Sequence, residues 1–315
     1  MKYKIQFSRE FIWLPIILFL SFTTFACGHY TEFDSDYSDY KILKEKTFDT
    51  SPGKNLILKA SSGDVLITTS DAPKVYVKIL GNERASQKVK FNFENSADGV
   101  TVIAENKDGW NFFDFGRGIK LRFEITLPKS YNAKVSSSGG DISLNDLNGN
   151  ADLHSSGGDV KVQNISGNTV VSTSGGDITI NNNSGNLDLN TSGGDIKTTG
   201  FNGNVSATSS GGDIILEGSN GQIDAHTSGG EINLNYSGEN LGIKLVSSGG
   251  NIVVKLPGNF NAQANLYASG GDIQCGFEGN NVQKISSSKY EADFNNGGKD
   301  FIAKTSGGDI TIKKK

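Results

Sequence analysis

Apolar residues return at every second position in short bursts along most of this chain. Ile142/Leu144, Val160/Val162, Ile178/Ile180, Ile214/Leu216 and Ile232/Leu234 form one series. Ala151/Leu153, Thr169/Val171, Leu187/Leu189, Val205/Ala207 and Ile223/Ala225 form a second, with polar residues between the members of each pair. Alternation of period two predicts strands with one buried face. No helical stripe interrupts this part of the chain. Looser alternation predicts further strands at 74–80, 89–93, 100–104 and 120–127.

The bursts are spaced by turns that repeat. Ser-Gly-Gly begins at Ser138, Ser156, Ser174, Ser192, Ser210 and Ser228, each step 18 residues. Further copies start at Ser248, Ser269 and Ser306, after steps of 20, 21 and 37. A second glycine series, Gly149, Gly167, Gly185, Gly203 and Gly221, lies half a period away. Each unit thus holds two turns and two short strands. Such a unit cannot close a core alone, but stacked units can, because each strand pairs with its equivalent in the next coil about 4.8 Å away. The fold expected is all-β: a parallel β-solenoid of about 18 residues per coil, with two Gly-rich turns per coil and irregular caps at both ends. Gly-Gly makes the corner, Asp opens the next strand, and Ile re-enters the core.

"LILKASSGDVLIT" (56–68), "FEITLPKSYNAKVSSSGGDISL" (123–144), the central repeats and the closing "FIAKTSGGDITIKKK" (301–315) resemble the bacterial DUF4097 β-strand-repeat family, whose members are often labelled candidate adhesins. The resemblance covers most of the chain after its first residues. It implies a β-solenoid and an extracytoplasmic location, and no known reaction. Some relatives accompany envelope-stress systems.

The first residues read as a targeting segment. Lys2, Lys4 and Arg9 precede an apolar run from Phe11 to Phe25 that Pro15 interrupts, the grammar of a secretory signal rather than a permanent span. "TFACGHY" ends it and resembles a bacterial lipobox, which makes Cys27 the lipidated first residue of the mature chain. Thr24 and Phe25 depart from the usual lipobox residues. Gly28 after the cysteine points to the outer membrane. The expected organisation is a signal peptide (1–26), an acidic tether (27–45), irregular N-terminal coils and cap (46–135), regular coils (136–275), and C-terminal coils and cap (276–315).

Charge and cysteine content narrow the function. The chain carries 30 basic and 34 acidic residues, net −4. Loss of residues 1–26, with Lys2, Lys4, Arg9 and Glu10, takes the net charge to −6. A mildly acidic chain without a basic stripe is a poor nucleic-acid binder. Once Cys27 is lipidated, Cys275 is the one remaining thiol, so packing rather than a disulfide holds the fold. Cys275 falls on an inward position and reads as a small core residue.

The repeat also aligns polar residues. Asp141, Asp159, Asp177, Asp195, Asp213 and Glu231, continued by Asn251 and Asp272, form a corner column. Its first five members are weak candidates for a calcium ladder, since 18 is twice the nine-residue period of calcium-binding β-rolls. Here, however, Asp follows Gly-Gly directly, and a bond to turn N–H groups is the simpler role. Ser137, Ser155, Thr173, Thr191, Ser209 and Thr227 form a hydroxyl column that needs a base to be nucleophilic. His29 lies in the tether, and His154 and His226 are four coils apart with no triad-like acid expected beside them. Three such histidines and one cysteine do not make a zinc site. "DGWNFFDFGRG" (108–118) gathers Trp110, Phe112, Phe113 and Phe115, either a cap over the first coils or an exposed partner surface. The expectation is a non-catalytic, envelope-anchored binding or adhesion scaffold without cofactor, held to the membrane by its lipid and facing a protein or glycan ligand. The alternative is an accessory to envelope-stress signalling that acts through protein partners.

Overall fold

The computed structural model describes residues 39–107 and 118–315, with the side chains of 283–285 excepted. Cys27, the signal segment and Trp110, Phe112, Phe113 and Phe115 lie outside the described residues. The described residues form two sheets, of thirteen and fourteen strands. Each regular coil gives one strand to each sheet. Ile178–Ser184 enters the first, paired in parallel with Val160–Ser166 and Ile196–Asn202. Leu187–Thr191 enters the second, between Thr169–Thr173 and Val205–Ser209. The chain is a parallel β-solenoid.

The register follows the 18-residue period. Ile178 lies opposite Val160 and Ile196, and Thr179 opposite Lys161 and Lys197. Val160, Ile178, Ile196, Ile214, Ile232 and Ile252 are buried in one column, each worth about 1.5–3 kcal/mol relative to exposure. A one-residue slip would turn every such column outward, so the alternation itself locks the register.

The alternation is broken once in each of the successive strands of the thirteen-stranded sheet from Ile142 to Asn202, and is regular again in Ile232–Ser237. Asp146, Asn164 and Asn182 have φ of 62°, 56° and 55°, and Gly200 continues the column at 72°. Asn and Gly tolerate this left-handed backbone best. The Asn164 amide donates to Asp146 Oδ1 at 2.8 Å, and the Asn182 amide to Asn164 Oδ1 at 3.0 Å. The extra residue shifts the next side chain inward. Leu147, Ile165, Asn183 and Phe201 therefore form an inward column that simple alternation does not predict.

Coil order departs from chain order at both ends. Asn55–Ala60 lies between Gly99–Asn106 and Asn132–Ser137, and Asp64–Ser70 between Leu121–Pro128 and Ile142–Asn145. The first coil is thus held inside the second. At the other end Asp300–Thr305 lies between Ile243–Ser247 and Ala262–Ala268, and Ile310–Lys314 between Ile252–Leu256 and Ile273–Cys275. This insertion sets the order within the expected C-terminal coils and cap of 276–315. It also explains the irregular steps: Ser269 and Ser306 are spatial neighbours, with the Ser269 hydroxyl donating to the Ser306 carbonyl at 3.1 Å.

Antiparallel strands close both ends. Lys74–Gly81 pairs with Leu121–Pro128 and then with Lys41–Asp49, while Val89–Ser96 pairs with Gly99–Asn106. The strand from Lys41 cuts into the expected tether of 27–45. Its lysines and the irregularity between Ile42 and Lys44 suit an exposed edge. A short helix not foreseen in the sequence, Glu83–Lys88, is capped by Asn82 and buries Ala85. At the C-terminal end Lys289–Phe294 pairs with Ala262–Ala268 and Gly279–Ile285.

Candidate binding surface

The corner acids build the stack. The N–H of Asp159 donates to Asp141 Oδ1 at 2.9 Å, Asp177 to Asp159 at 2.9 Å, Asp195 to Asp177 at 2.8 Å, and Asp213 to Asp195 at 2.7 Å. Glu231 N–H continues to Asp213 at 2.7 Å. Asp64 stands before Asp141, accepting its N–H at 3.1 Å. Beyond Asn251 the column passes to Asp309 and only then to Asp272, again following space rather than sequence. Neighbouring like charges cost about 1 kcal/mol in water, whereas a hydrogen bond to a charged group contributes about 1.5–3 kcal/mol, so the column is tolerable as built. Across the coil, asparagines do the same without charge: Asn150 N–H donates to Asn132 Oδ1 and Asn168 N–H to Asn150 Oδ1. One corner of the stack is therefore acidic and the opposite one neutral.

The hydroxyl column is buried and doubly engaged. Thr173 donates to the Gly158 carbonyl of the preceding coil at 3.0 Å and accepts from Gly176 N–H at 3.3 Å. Ser155, Thr191, Ser209 and Thr227 repeat both bonds with their own glycines. These hydroxyls join coils and stand in no contact with an imidazole.

His154 differs from its expectation. Its Nε2 lies 2.6 Å from Asp152 Oδ1, and Lys134 Nζ lies 2.6 Å from Asp152 Oδ2. Burial pushes the Asp152 carboxyl up, but Lys134 and His154 outweigh it and leave it below its ordinary value. Ser136 and Ser172 flank His154 in register. The juxtaposition arises because residues two apart on a strand share a face. The set lies on an open sheet face whose strands are paired on both sides, which leaves their backbone N–H groups in the ladders rather than free to hold an oxyanion. Its chemistry is that of a surface ion-pair cluster. Asp224 and His226 repeat the spacing four coils on, with Lys244 Nζ 3.5 Å from Asp224.

Cys275 is half-buried against the core. Burial pushes its thiol up, away from the reactive thiolate. Burial and the neighbouring Cys275 push the Tyr290 hydroxyl up to about 12. Around them the fold gathers rings that are scattered in the sequence. Phe277 stacks on Phe294 at 4.5 Å, Phe294 meets Phe301 at 6.0 Å, and Phe260 bridges Phe301 and Tyr236 edge-on at 6.4 and 6.2 Å. Only the interleaved coil brings Phe301 among them. Among the described residues no three His, Cys, Asp or Glu side chains gather to hold a metal ion, and no helix is long and apolar enough to cross a membrane.

The stack thus separates two kinds of position. Asp, Ser/Thr and Gly at the corners recur and are consumed by contacts between coils. The outward strand positions change from coil to coil: Lys134, Asp152, Val170, Asp188, Ser206, Asp224 and Lys244 follow one another along one face. The candidate interaction surface is this variable set.

Three solved structures of remote sequence are similar over most of their length. A candidate adhesin from Bacteroides fragilis is 15% identical, with 87% of this chain and 97% of that one covered and a TM-score of 0.44. A candidate adhesin from Parabacteroides distasonis is 14% identical, with coverage of 86% and 97% and a TM-score of 0.44. A candidate lipid-binding protein from the same species is 15% identical, with coverage of 86% and 96% and a TM-score of 0.28. No function transfers at such distances. No curated protein matches the sequence. The family is set by the repeat-bearing region itself: residues 54–313 match the Toastrack DUF4097 family model, and the chain belongs to that family.

Proposed function

We propose that this protein is a non-catalytic binding scaffold of the bacterial cell envelope, an adhesin in the broad sense, held at the outer membrane by a lipid on Cys27. One observation carries the reading. The residue types that recur at the corners are engaged by neighbouring coils, as in the Thr173 bonds to Gly158 and Gly176, while the outward positions vary freely on two broad sheets. Solenoids present extended binding surfaces in this way. Nothing in the corner columns pairs a nucleophile with a base.

The reading is tested by adding the purified protein to intact cells, envelopes and matrix material. Saturable binding is expected. Absence of binding to every such surface, or robust turnover on a panel of hydrolase substrates, overturns it. Anchoring is tested separately: Cys27→Ser is expected to release the protein from membranes or leave it unprocessed. Unchanged processing and membrane fractionation sink the lipid anchor.

A further inference from the structure

The fourteen-stranded sheet carries a groove near its C-terminal end. Three strands lie side by side there, Lys289–Phe294, Ala262–Ala268 and Asp300–Thr305. Their outward residues align in three rows along the stack. Asp293, Gln263 and Asp300 form the first, Glu291, Asn265 and Ile302 the second, and Lys289, Tyr267 and Lys304 the third. Between the first two rows lies a cleft of about 220 Å³, floored by the backbone at Ala264 and Ala292 and reached by Asn281.

The lining is chemically mixed. Asn281 donates to Asp293 Oδ2 at 2.7 Å, and Lys289 Nζ lies 2.7 Å from Glu291 Oε1. The side chains of Gln263, Asn265 and Asp300 meet no hydrogen-bond partner among the described residues, so two amides and a carboxylate stand ready on one face. Tyr267, in the row beside Asn265, is 44% exposed and is the one aromatic among the large exposed apolar side chains described. The cleft is smaller than the about 300–1,000 Å³ of drug-sized sites, so it takes a small unit.

We propose that this groove is a carbohydrate subsite that holds one pyranose unit of an amino-sugar-bearing glycan. A sugar ring has an apolar C–H face that suits the Tyr267 ring. Its hydroxyls both donate and accept. The carboxylates of Asp293, Asp300 and Glu291 can only accept, and the Gln263 and Asn265 amides supply donors as well. Three carboxylates around the cleft, one of them already paired with Lys289, favour a cationic amine and oppose an acidic sugar. The inference rests on the binding-scaffold reading and gives it a ligand class.

The test is a titration of the full chain with the methyl glycosides of glucosamine, glucose and glucuronic acid, followed by saturation-transfer NMR. Glucosamine is expected to bind tightest and glucuronic acid weakest. Tyr267→Ala should weaken all three about tenfold, and Asp300→Asn should remove about tenfold of the preference for glucosamine over glucose. Thr179→Ala, outward on the other sheet, serves as the unchanged control, and the melting temperatures of all variants check the fold. The subsite is overturned if none of the three sugars binds, if glucuronic acid binds best, or if both variants bind like the parent. If cells bind the parent and the Tyr267→Ala protein equally, the scaffold reading stands and this site fails. If the sugars bind but no cell or matrix surface does, the subsite stands and the adhesin reading fails.

Discussion

Inside the stack the Thr169 hydroxyl donates to the Asn183 amide oxygen at 2.9 Å, and both side chains are fully enclosed. Their neighbours along the same columns are apolar: Ala151 and Leu187 beside Thr169, Ile165 and Phe201 around Asn183. Asn183 also donates to the Gly185 carbonyl at 3.1 Å. A buried polar pair of this kind is neutral when complete and costly when halved. Asn183→Ile alone leaves the Thr169 hydroxyl without a partner and is expected to cost about 1–3 kcal/mol. Adding Thr169→Val should recover most of the loss. Urea denaturation of both single variants and the double gives the coupling directly. Additive effects would show that the pair does not act as a unit.

The two glycines of one corner have different jobs. A Cβ on Gly175 would come no nearer than 3.6 Å to the Gly157 carbonyl, whereas one on Gly176 would lie 2.1 Å from the Gly158 carbonyl. The second glycine is there because consecutive coils touch backbone to backbone at that point. Gly175→Ala should change stability by about 0.5 kcal/mol or less, the range of a surface site. Gly176→Ala must push two coils apart, and an overpacked position typically costs about 1–3 kcal/mol. Thermal melts of the pair check this. Equal effects would mean that turn conformation, not close approach, selects the glycines.

The sequence reveals the stack because the same residue must solve the same problem in every coil. Gly176, Asp177 and Ile178 each occupy a position whose neighbours are copies of themselves, and the 18-residue period records that. It conceals whatever depends on a departure from sequence order or from strict alternation. The inward turn of Ile165 follows from a left-handed Asn164, which reads in the sequence as one more polar loop residue. The embrace of the last coil by two earlier ones leaves only irregular spacings as its trace. The groove residues Gln263, Asn265 and Asp300 are hidden for the same reason: their rows exist only once residues 300–305 lie beside 262–268. The pairing of His154 with Asp152 is legible in the sequence, since strand periodicity alone puts residues two apart on one face.

Two carboxyls, Asp64 at the head of the acid column and Asp152 in the outward ion-pair cluster, predict opposed pH effects. Burial pushes the Asp64 carboxyl up, with the charge of Asp141 adding to it, against the pull of the Asp141 N–H and Arg122. Its folded-state value is raised, so stability falls as pH rises from the ordinary carboxylate value of about 4 through that higher value. Asp152 is held low, so its contribution is present above the ordinary value and is lost as pH falls through the lower one. Asp64→Asn should therefore raise the melting temperature at pH 7 relative to the parent. The hydrogen bond can survive, because Asn251 in the same column accepts the Asp309 N–H at 2.8 Å. Asp152→Asn should lower the melting temperature at pH 7 and flatten its fall below pH 4. Melting curves from pH 3 to 7 decide both, and a less stable Asp64→Asn protein at neutral pH would contradict the first.

One further buried group tests how fully the core is satisfied. The Thr198 hydroxyl is enclosed and without a hydrogen-bond partner among the described residues, in a column where Ile180 and Leu216 are its neighbours. Thr198→Val keeps the shape and removes the orphan. It should stabilise the protein by about 1 kcal/mol or more, since an unsatisfied buried group costs about 1–3 kcal/mol. A destabilised variant in urea titration would mean that the hydroxyl has a partner, such as a buried water.

The interleaved end predicts where unfolding begins. Phe301 is fully buried, meets Phe260 and Phe294, and stands on the strand that separates Ile243–Ser247 from Ala262–Ala268. Removing it strips the coil that holds two sequence-adjacent coils apart, so Phe301→Ala should cost about 3–5 kcal/mol, as for a large ring in a tight core. Each coil contacts only its neighbours, so the loss should stay local. Hydrogen exchange is expected to quicken across residues 243–315 while the strands from Ile142 to Thr227 keep their protection. The effect should exceed that of Leu189→Ala in the middle of the stack in extent, because Leu189 lies between coils that remain threaded in chain order. If the Phe301→Ala protein instead exchanges uniformly along its whole length, the stack melts as one unit. If residues 243–275 keep their protection, those coils do not depend on the inserted strand pair of residues 300–314.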